Sequence, residues 1–221
     1  MGMRKLDSVF KEFPRVKEAF EYAKEKYLEA DLVQHNWDHI TGNLYRALDI
    51  SGHTNEQADH AVLVTAVLFH DIGVTEGKYS EHEERSVKIA RRELPDMGFS
   101  EEEIDEIVHC IDTTSEDTES KTLEAEINSD ADKLVKAGFA SVFNFFRVQA
   151  ELDKDLEDMV SDLSRYEKLE EQGFYTERAR EIAGRDGFEK RIRFLERFRD
   201  SLKSRPDFTA DEKDLFDGES R

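Results

Sequence analysis

The chain has 221 residues, 38% of them hydrophobic and 38% charged, and its 52 acidic against 32 basic side chains give a net charge of −20. Such a surface repels nucleic acid and anionic membrane, so neither is an expected partner. The lone Cys110 excludes an intramolecular disulfide and a thiolate zinc cluster. No apolar run approaches the ~20 residues that span a bilayer, and the opening Met1-Gly-Met-Arg-Lys-Leu-Asp7 lacks the apolar stretch of a secretory signal. The cytoplasm is the expected location.

Apolar residues recur at helical spacing almost throughout and no alternating run suggests a strand, so the chain reads as all-α. A first helix is expected over about 6–30, with Pro14 kinking or dividing it. The segment His35-Asn-Trp-Asp-His39-Ile40 opens a second helix through Leu44, Leu48 and Ile50, which Gly52 stops. Thr54 and Gln57 have capping-box spacing and are expected to start the apolar run 61–69, which ends in His70-Asp71. Residues 73–80 read as a loop, and a helix over about 81–94 follows, closed by Pro95 and Gly98.

Ser100 and Glu103 form a second capping-box pair, ahead of Ile104, Ile107 and Ile111. After a polar loop over 113–121, a helix is expected over about 123–153. Residues 151–171 are acidic and 177–205 basic, the latter with an apolar stripe of Phe188, Ile192, Leu195, Phe198 and Leu202. These two stretches are expected to pack as an antiparallel pair with complementary charge. The whole reads as a single helical domain over 1–205, with its core at about 33–138, a C-terminal helical pair at about 150–205 and a frayed tail over 206–221.

His70-Asp71 is the most informative dipeptide, because it ends a helix buried on most sides. A buried carboxylate is costly unless a cation or hydrogen bonds compensate it. His39, His70, Asp71 and Asp132 are the candidate ligands, from three separate helices. Two imidazoles and two carboxylates suit Mn, Fe, Co, Ni or Zn better than an all-oxygen Mg or Ca cage. Asp130 competes with Asp132, but residues two apart on a helix point about 200° apart, so only one can face an ion.

The order His39…His70-Asp71…Asp132 resembles the signature of the HD-domain metal-dependent phosphohydrolases, in particular their small stand-alone members. His35-Asn-Trp-Asp-His39-Ile is similar to the opening segment of that superfamily, and Asp130-Ala-Asp-Lys-Leu134 to its closing one. The resemblance covers about residues 33–138 and implies an α-helical core with a metal site at its centre. Its pattern favours Asp132 over Asp130. It also implies a divalent transition metal, one ion in preference to two, because the histidine many relatives carry on a later helix is replaced around Asp112-Thr113-Thr114.

Several positions depart from the family. Gly42 stands where an arginine is common, Val74 where small deoxynucleotidases carry an acid, and no Gly-Tyr-Pro element is present. The expected activity is hydrolysis of a small phosphorylated metabolite or nucleotide, with Asp71 orienting or deprotonating water. His82, Lys133 and Arg85 would hold phosphate oxygens, and Lys78 is a further candidate cation. Two readings stand for His82, at the site or on the surface, and for His35, at the helix start or behind the ligands. The alternative function is a non-catalytic metal- or nucleotide-binding regulatory module; a di-iron oxygenase and an interaction scaffold are more distant readings. Trp37 is expected to anchor packing and Cys110 to be a small buried hydrophobe.

Overall fold

Proline divides the first helical stretch. Pro14 has no N–H to give and fits the first position of a helix, so α1 (Gly2–Glu12) ends before Phe13 and α2 (Pro14–Ala30) begins anew. The computed structural model describes residues 2–33, 35–77, 81–114, 119–137, 142–143, 145–146, 149, 154, 173–185 and 187–203. All elements among them are helical, the all-α architecture expected from the periodicity.

Helix α3 (Trp37–Ser51) is capped by Asn36, whose side-chain oxygen accepts from the His39 N–H at 3.1 Å. Gly52 closes it, as expected. Helix α4 (His60–Phe69) starts later than the Thr54 signal predicts. The Thr54 hydroxyl is engaged in the loop, donating to the carbonyls of Ser51 and Glu56. Asp59, an acceptor only, caps the helix instead, taking the N–H groups of Ala61 at 2.7 Å and Val62 at 3.1 Å.

A 3₁₀ turn (Ile72–Glu76) follows His70-Asp71, and α5 (His82–Glu93) comes after it. Helix α6 (Glu101–Asp112) carries the complete Ser100/Glu103 capping box. Helix α7 spans Leu123–Ala137; of the expected continuation to 153, the described residues 142–143, 145–146 and 149 are helical. Then come α8 (Glu177–Arg185) and α9 (Phe188–Lys203). The acidic stretch 151–171, apart from Lys154, and the tail 206–221 lie outside the described residues, and with them the expected antiparallel pair.

The chain divides into two compact units, residues 1–135 with 175–179, and residues 136–174 with 180–221. In the first, every residue of α4 from Ala61 to Phe69 is buried. Fully burying a Val, Leu or Phe side chain contributes about 1.5–3 kcal/mol, so α4 is the element the core is built around. It packs against α2, α3 and α6. Trp37, at the first position of α3, meets Phe20 of α2 edge-on with ring centroids 5.1 Å apart, the packing anchor expected of it. Cys110 is fully buried, and burial pushes its thiol up to about 12. In the second unit, α9 buries Ile192 and Leu195, while Arg193, Glu196 and Arg197 face solvent.

Among the described residues no helix is long and apolar enough to cross a membrane.

Candidate metal centre

Local chemistry sets each contributing side chain before packing brings them together. The Asn36 cap fixes where α3 begins and so puts His39 in its first turn. His70 ends α4 in helical conformation, and its Nδ1 lies 2.8 Å from the Val67 carbonyl, to which it donates. That bond leaves Nε2 as the ring's free face, the usual arrangement of a ligating imidazole. Asp71 is the next residue, where the backbone leaves the helix for the 3₁₀ turn.

Asp132 arrives on α7. Asn128 of that helix donates to the Cys110 carbonyl of α6 at 2.9 Å, and Glu124 accepts from the Asp59 N–H at the start of α4 at 2.6 Å. These polar contacts pin α7 against the helices on which the other candidates sit.

The structure brings His39, His70, Asp71 and Asp132 together, with one donor atom of each within 4.8 Å of all the others. Oδ2 of Asp71 stands 3.1 Å from Nε2 of both His39 and His70. Oδ1 of Asp132 is 3.5 Å from His39 Nε2 and 3.8 Å from His70 Nε2. Burial works against a charged His70, yet the carboxylates of Asp71 and Asp132 outweigh it and lift the imidazole to about 10. Burial likewise raises Asp71, but the His70 and His35 rings and the hydrogen bonds from His39 and His70 prevail and hold it well below the usual carboxylate range. Two nearby acids thus depend on positive partners.

Donor chemistry, tautomer and spacing all fit a divalent transition metal. Donor atoms about 2.1 Å from one ion stand about 3.0–3.4 Å apart, close to the separations found here. His39, His70, Asp71 and Asp132 could therefore hold it.

Asp130 takes a different part. It accepts from the backbone N–H groups of Tyr175 at 2.9 Å and Thr176 at 2.8 Å, and from the Thr176 hydroxyl at 2.7 Å. Thr176 in turn accepts from the Ala179 N–H at the start of α8. Asp130 fastens this turn to α7, on the opposite face from Asp132.

His82 lies beside the cluster rather than at the surface. Its Nε2 is 3.2 Å from Asp71 Oδ1, the carboxylate oxygen turned away from His39 and His70. Gly73 makes this possible: a Cβ there would stand 2.1 Å from the His82 carbonyl oxygen, so only glycine lets the start of α5 come so close to the turn. Gly73 N–H also donates to Ser86 Oγ at 2.9 Å. His35 Nε2 approaches Asp71 Oδ2 at 3.9 Å, which puts that ring behind the candidate ligands.

Lys133 is half-buried, its ammonium 4.7 Å from the centre of the Tyr175 ring. Arg85 braces the turn, its Nε donating to the Gly73 carbonyl at 3.0 Å. Lys78 lies outside the described residues.

Two neighbours escaped the sequence reading. Asn43, one turn beyond His39, hydrogen-bonds into the cluster; a polar residue on the apolar face shared with Ile40, Leu44 and Ala47 was the available signal. Tyr27 of α2 is buried, and burial followed by the charge of Asp71 raises its hydroxyl well above the ordinary value. Nothing in the sequence near Tyr27 links it to Asp71.

Comparison with known proteins agrees with this geometry. The HD domain family model matches residues 36–137. Among solved structures, a predicted HD superfamily hydrolase from an uncultured Thermotogales bacterium superposes with a TM-score of 0.62 at 22% identity, covering 89% of this chain and 98% of that one. Bacillus subtilis YpgQ gives 0.64 at 19% identity, with 86% and 97% covered. YpgQ in complex with ADP gives 0.63 at 22% identity, with 88% and 96% covered. No curated protein matches in sequence. The family match falls on the stretch that supplies all four clustered side chains, and the fold around them is shared with the solved structures. Residues 36–137 thus match the HD domain family, and the fold is one shared with HD superfamily structures, as the ordered histidines and aspartates suggest.

Proposed function

We propose that this protein is a metal-dependent phosphohydrolase acting on a small phosphorylated metabolite, with a nucleotide as the favoured substrate class. The observation that carries the reading is the buried cluster of two imidazole nitrogens and two carboxylate oxygens on α3, α4 and α7. The ADP complex of Bacillus subtilis YpgQ supports the choice of a nucleotide. A single divalent ion of Mn, Fe, Co, Ni or Zn, held by His39, His70, Asp71 and Asp132, would supply Lewis acidity at a phosphoryl oxygen and a nucleophilic water at neutral pH.

The chain's own residues divide the remaining work. Asp71 presents one oxygen to the cluster and the other to His82, so it can orient the attacking water from the position it already holds. His82, within hydrogen-bond reach of that carboxylate, stands beside the cluster where it would hold a phosphate oxygen. Lys133, adjacent to Asp132 in the chain, exchanges its contact with Tyr175 for a nonbridging phosphate oxygen. These cations locally invert the sign of a protein whose net charge is −20. Nucleic acid and membrane are not expected partners, and a chain with one buried, unpaired cysteine suits the cytosol.

The test is phosphate release from a panel of phosphomonoesters, phosphodiesters and nucleoside di- and triphosphates, with Mn²⁺, Co²⁺ or Ni²⁺ added. Metal-dependent release by the wild type, lost in Asp71→Ala, is the expected result. No release from any substrate overturns the hydrolase, and tight nucleotide binding without turnover assigns the regulatory module instead.

A further inference from the structure

Asn43 is 1% exposed and sits one turn beyond His39 on α3. Its Nδ2 stands 3.1 Å from His39 Nε2, 3.5 Å from His70 Nε2 and 3.3 Å from Asp132 Oδ1. The four clustered donors are separated from one another by similar distances, 3.1 to 3.8 Å across the imidazole–carboxylate pairs. The terminal atom of Asn43 therefore stands as close to three of the four donors as the imidazoles and carboxylates stand to one another. Its other terminal atom, Oδ1, is buried and has no hydrogen-bond partner among the described residues. A buried acceptor left in that condition is costly.

The two ends of a carboxamide have nearly the same shape, and a half-turn about Cβ–Cγ exchanges them. Without a cation, the NH₂ group is the better occupant of that position, because it can donate to the Asp132 carboxylate at 3.3 Å. With a cation among those donors, the NH₂ would point its positive edge at like charge, whereas the carbonyl dipole would be attracted.

We propose that Asn43 is a fifth donor to the divalent cation of this site, through Oδ1, its amide turning over as the cation enters. The proposal rests on the metal-site reading above. Two carboxylates already balance a divalent charge, so a neutral fifth donor adds affinity and fixes geometry without making the centre anionic. A centre that must receive a phosphate gains from that restraint.

The experiment adds Mn²⁺ alone to the full chain and follows binding by calorimetry and by loss of the free-ion electron paramagnetic resonance signal. Circular dichroism checks the fold of each variant. Asn43→Leu, which has similar volume and no donor atom, is expected to bind Mn²⁺ at least ~10-fold more weakly. Asn43→Asp, which keeps an oxygen there, is expected to bind at least as tightly as wild type. A crystal structure of the Mn²⁺-bound chain is expected to show Asn43 Oδ1 within about 2.4 Å of the ion. Wild-type affinity in Asn43→Leu overturns the proposal, as does an amide lying beyond ligand distance in the Mn²⁺-bound crystal, which decides the matter should Asn43→Leu fail to fold. Mn²⁺ binding by wild type that Asn43→Leu leaves unchanged refutes only the fifth donor; absence of Mn²⁺ binding by wild type refutes the metal site with it.

Discussion

Helices α4 and α9 bury their apolar residues in opposite ways. In α4 every residue from Ala61 to Phe69 is covered, so no face is reserved for solvent. In α9, Ile192 and Leu195 are covered while Arg193, Glu196 and Arg197 are exposed, and even Phe194 is 39% exposed. An amphipathic helix has its orientation written in its own sequence. A helix covered on all sides takes its orientation from the shapes of its neighbours, and it is held on every side once placed. The His70-Asp71 pair ends the second kind of helix. Side chains that must meet others within a few tenths of an ångström are thus attached where the backbone has least freedom.

The largest break in this comparison should come from the buried helix. Phe69→Ala removes a fully covered ring next to His70 and should cost about 3–5 kcal/mol, read as a fall in the urea midpoint; Mn²⁺ affinity should fall as well. His70→Ala separates ligand from scaffold. It should weaken Mn²⁺ binding by at least ~100-fold, beyond the usual cost of losing a supporting contact, while the far-ultraviolet circular dichroism stays that of a helical protein. Retained Mn²⁺ affinity in that variant would refute the four-donor site.

Asp130 tests an intermediate case, a buried acid that fastens a turn. Asp130→Ala leaves the Tyr175 and Thr176 N–H groups without their acceptor and should cost about 1–3 kcal/mol. The same residue carries a pH signature. Burial raises its carboxyl above the ordinary value, although the Thr176 and Tyr175 hydrogen bonds oppose the shift. The folded chain then holds this proton more tightly than the unfolded chain does. Its contribution is present below the ordinary carboxylate value and is lost as pH rises through the raised one. Urea midpoints of wild type relative to Asp130→Asn should therefore decline over that interval, and a difference independent of pH would contradict the assignment.

The smallest effect belongs to α9. Arg193 pairs with Glu189 at 3.0 Å, one turn apart and largely exposed. Such pairs contribute about 0.3–0.5 kcal/mol, so Arg193→Ala should move the melting temperature by little more than the error of the measurement. A large shift would mean that α9 is constrained in the way α4 is.

Features read correctly from the sequence are those whose causes lie within a few residues. The Ser100/Glu103 capping box, the break at Pro14 and the stop at Gly52 each depend on hydrogen bonds or sterics within one helical turn. Thr54 misled for the same reason: its spacing was right, but its hydroxyl had two nearby carbonyls to satisfy, and Asp59 had none. The site was legible as an ordered set of residue types, because a cation needs nitrogen and oxygen donors whatever the fold. Asn43 was not, because its value depends on His70 and Asp132 arriving from other helices.

By itself, then, the sequence determined that the chain is helical, where most helices start and stop, and which imidazoles and carboxylates were candidates to converge. Those properties follow from local periodicity, capping and donor chemistry. Only the tertiary structure decided that Asp132 and not Asp130 faces His39, that His82 comes through the gap left by Gly73 to meet Asp71, and that Asn43 stands within 3.5 Å of donor atoms on His39, His70 and Asp132. Such distances are set by how α3, α4, α5 and α7 pack, and packing is a property of surfaces that meet only when the chain has folded.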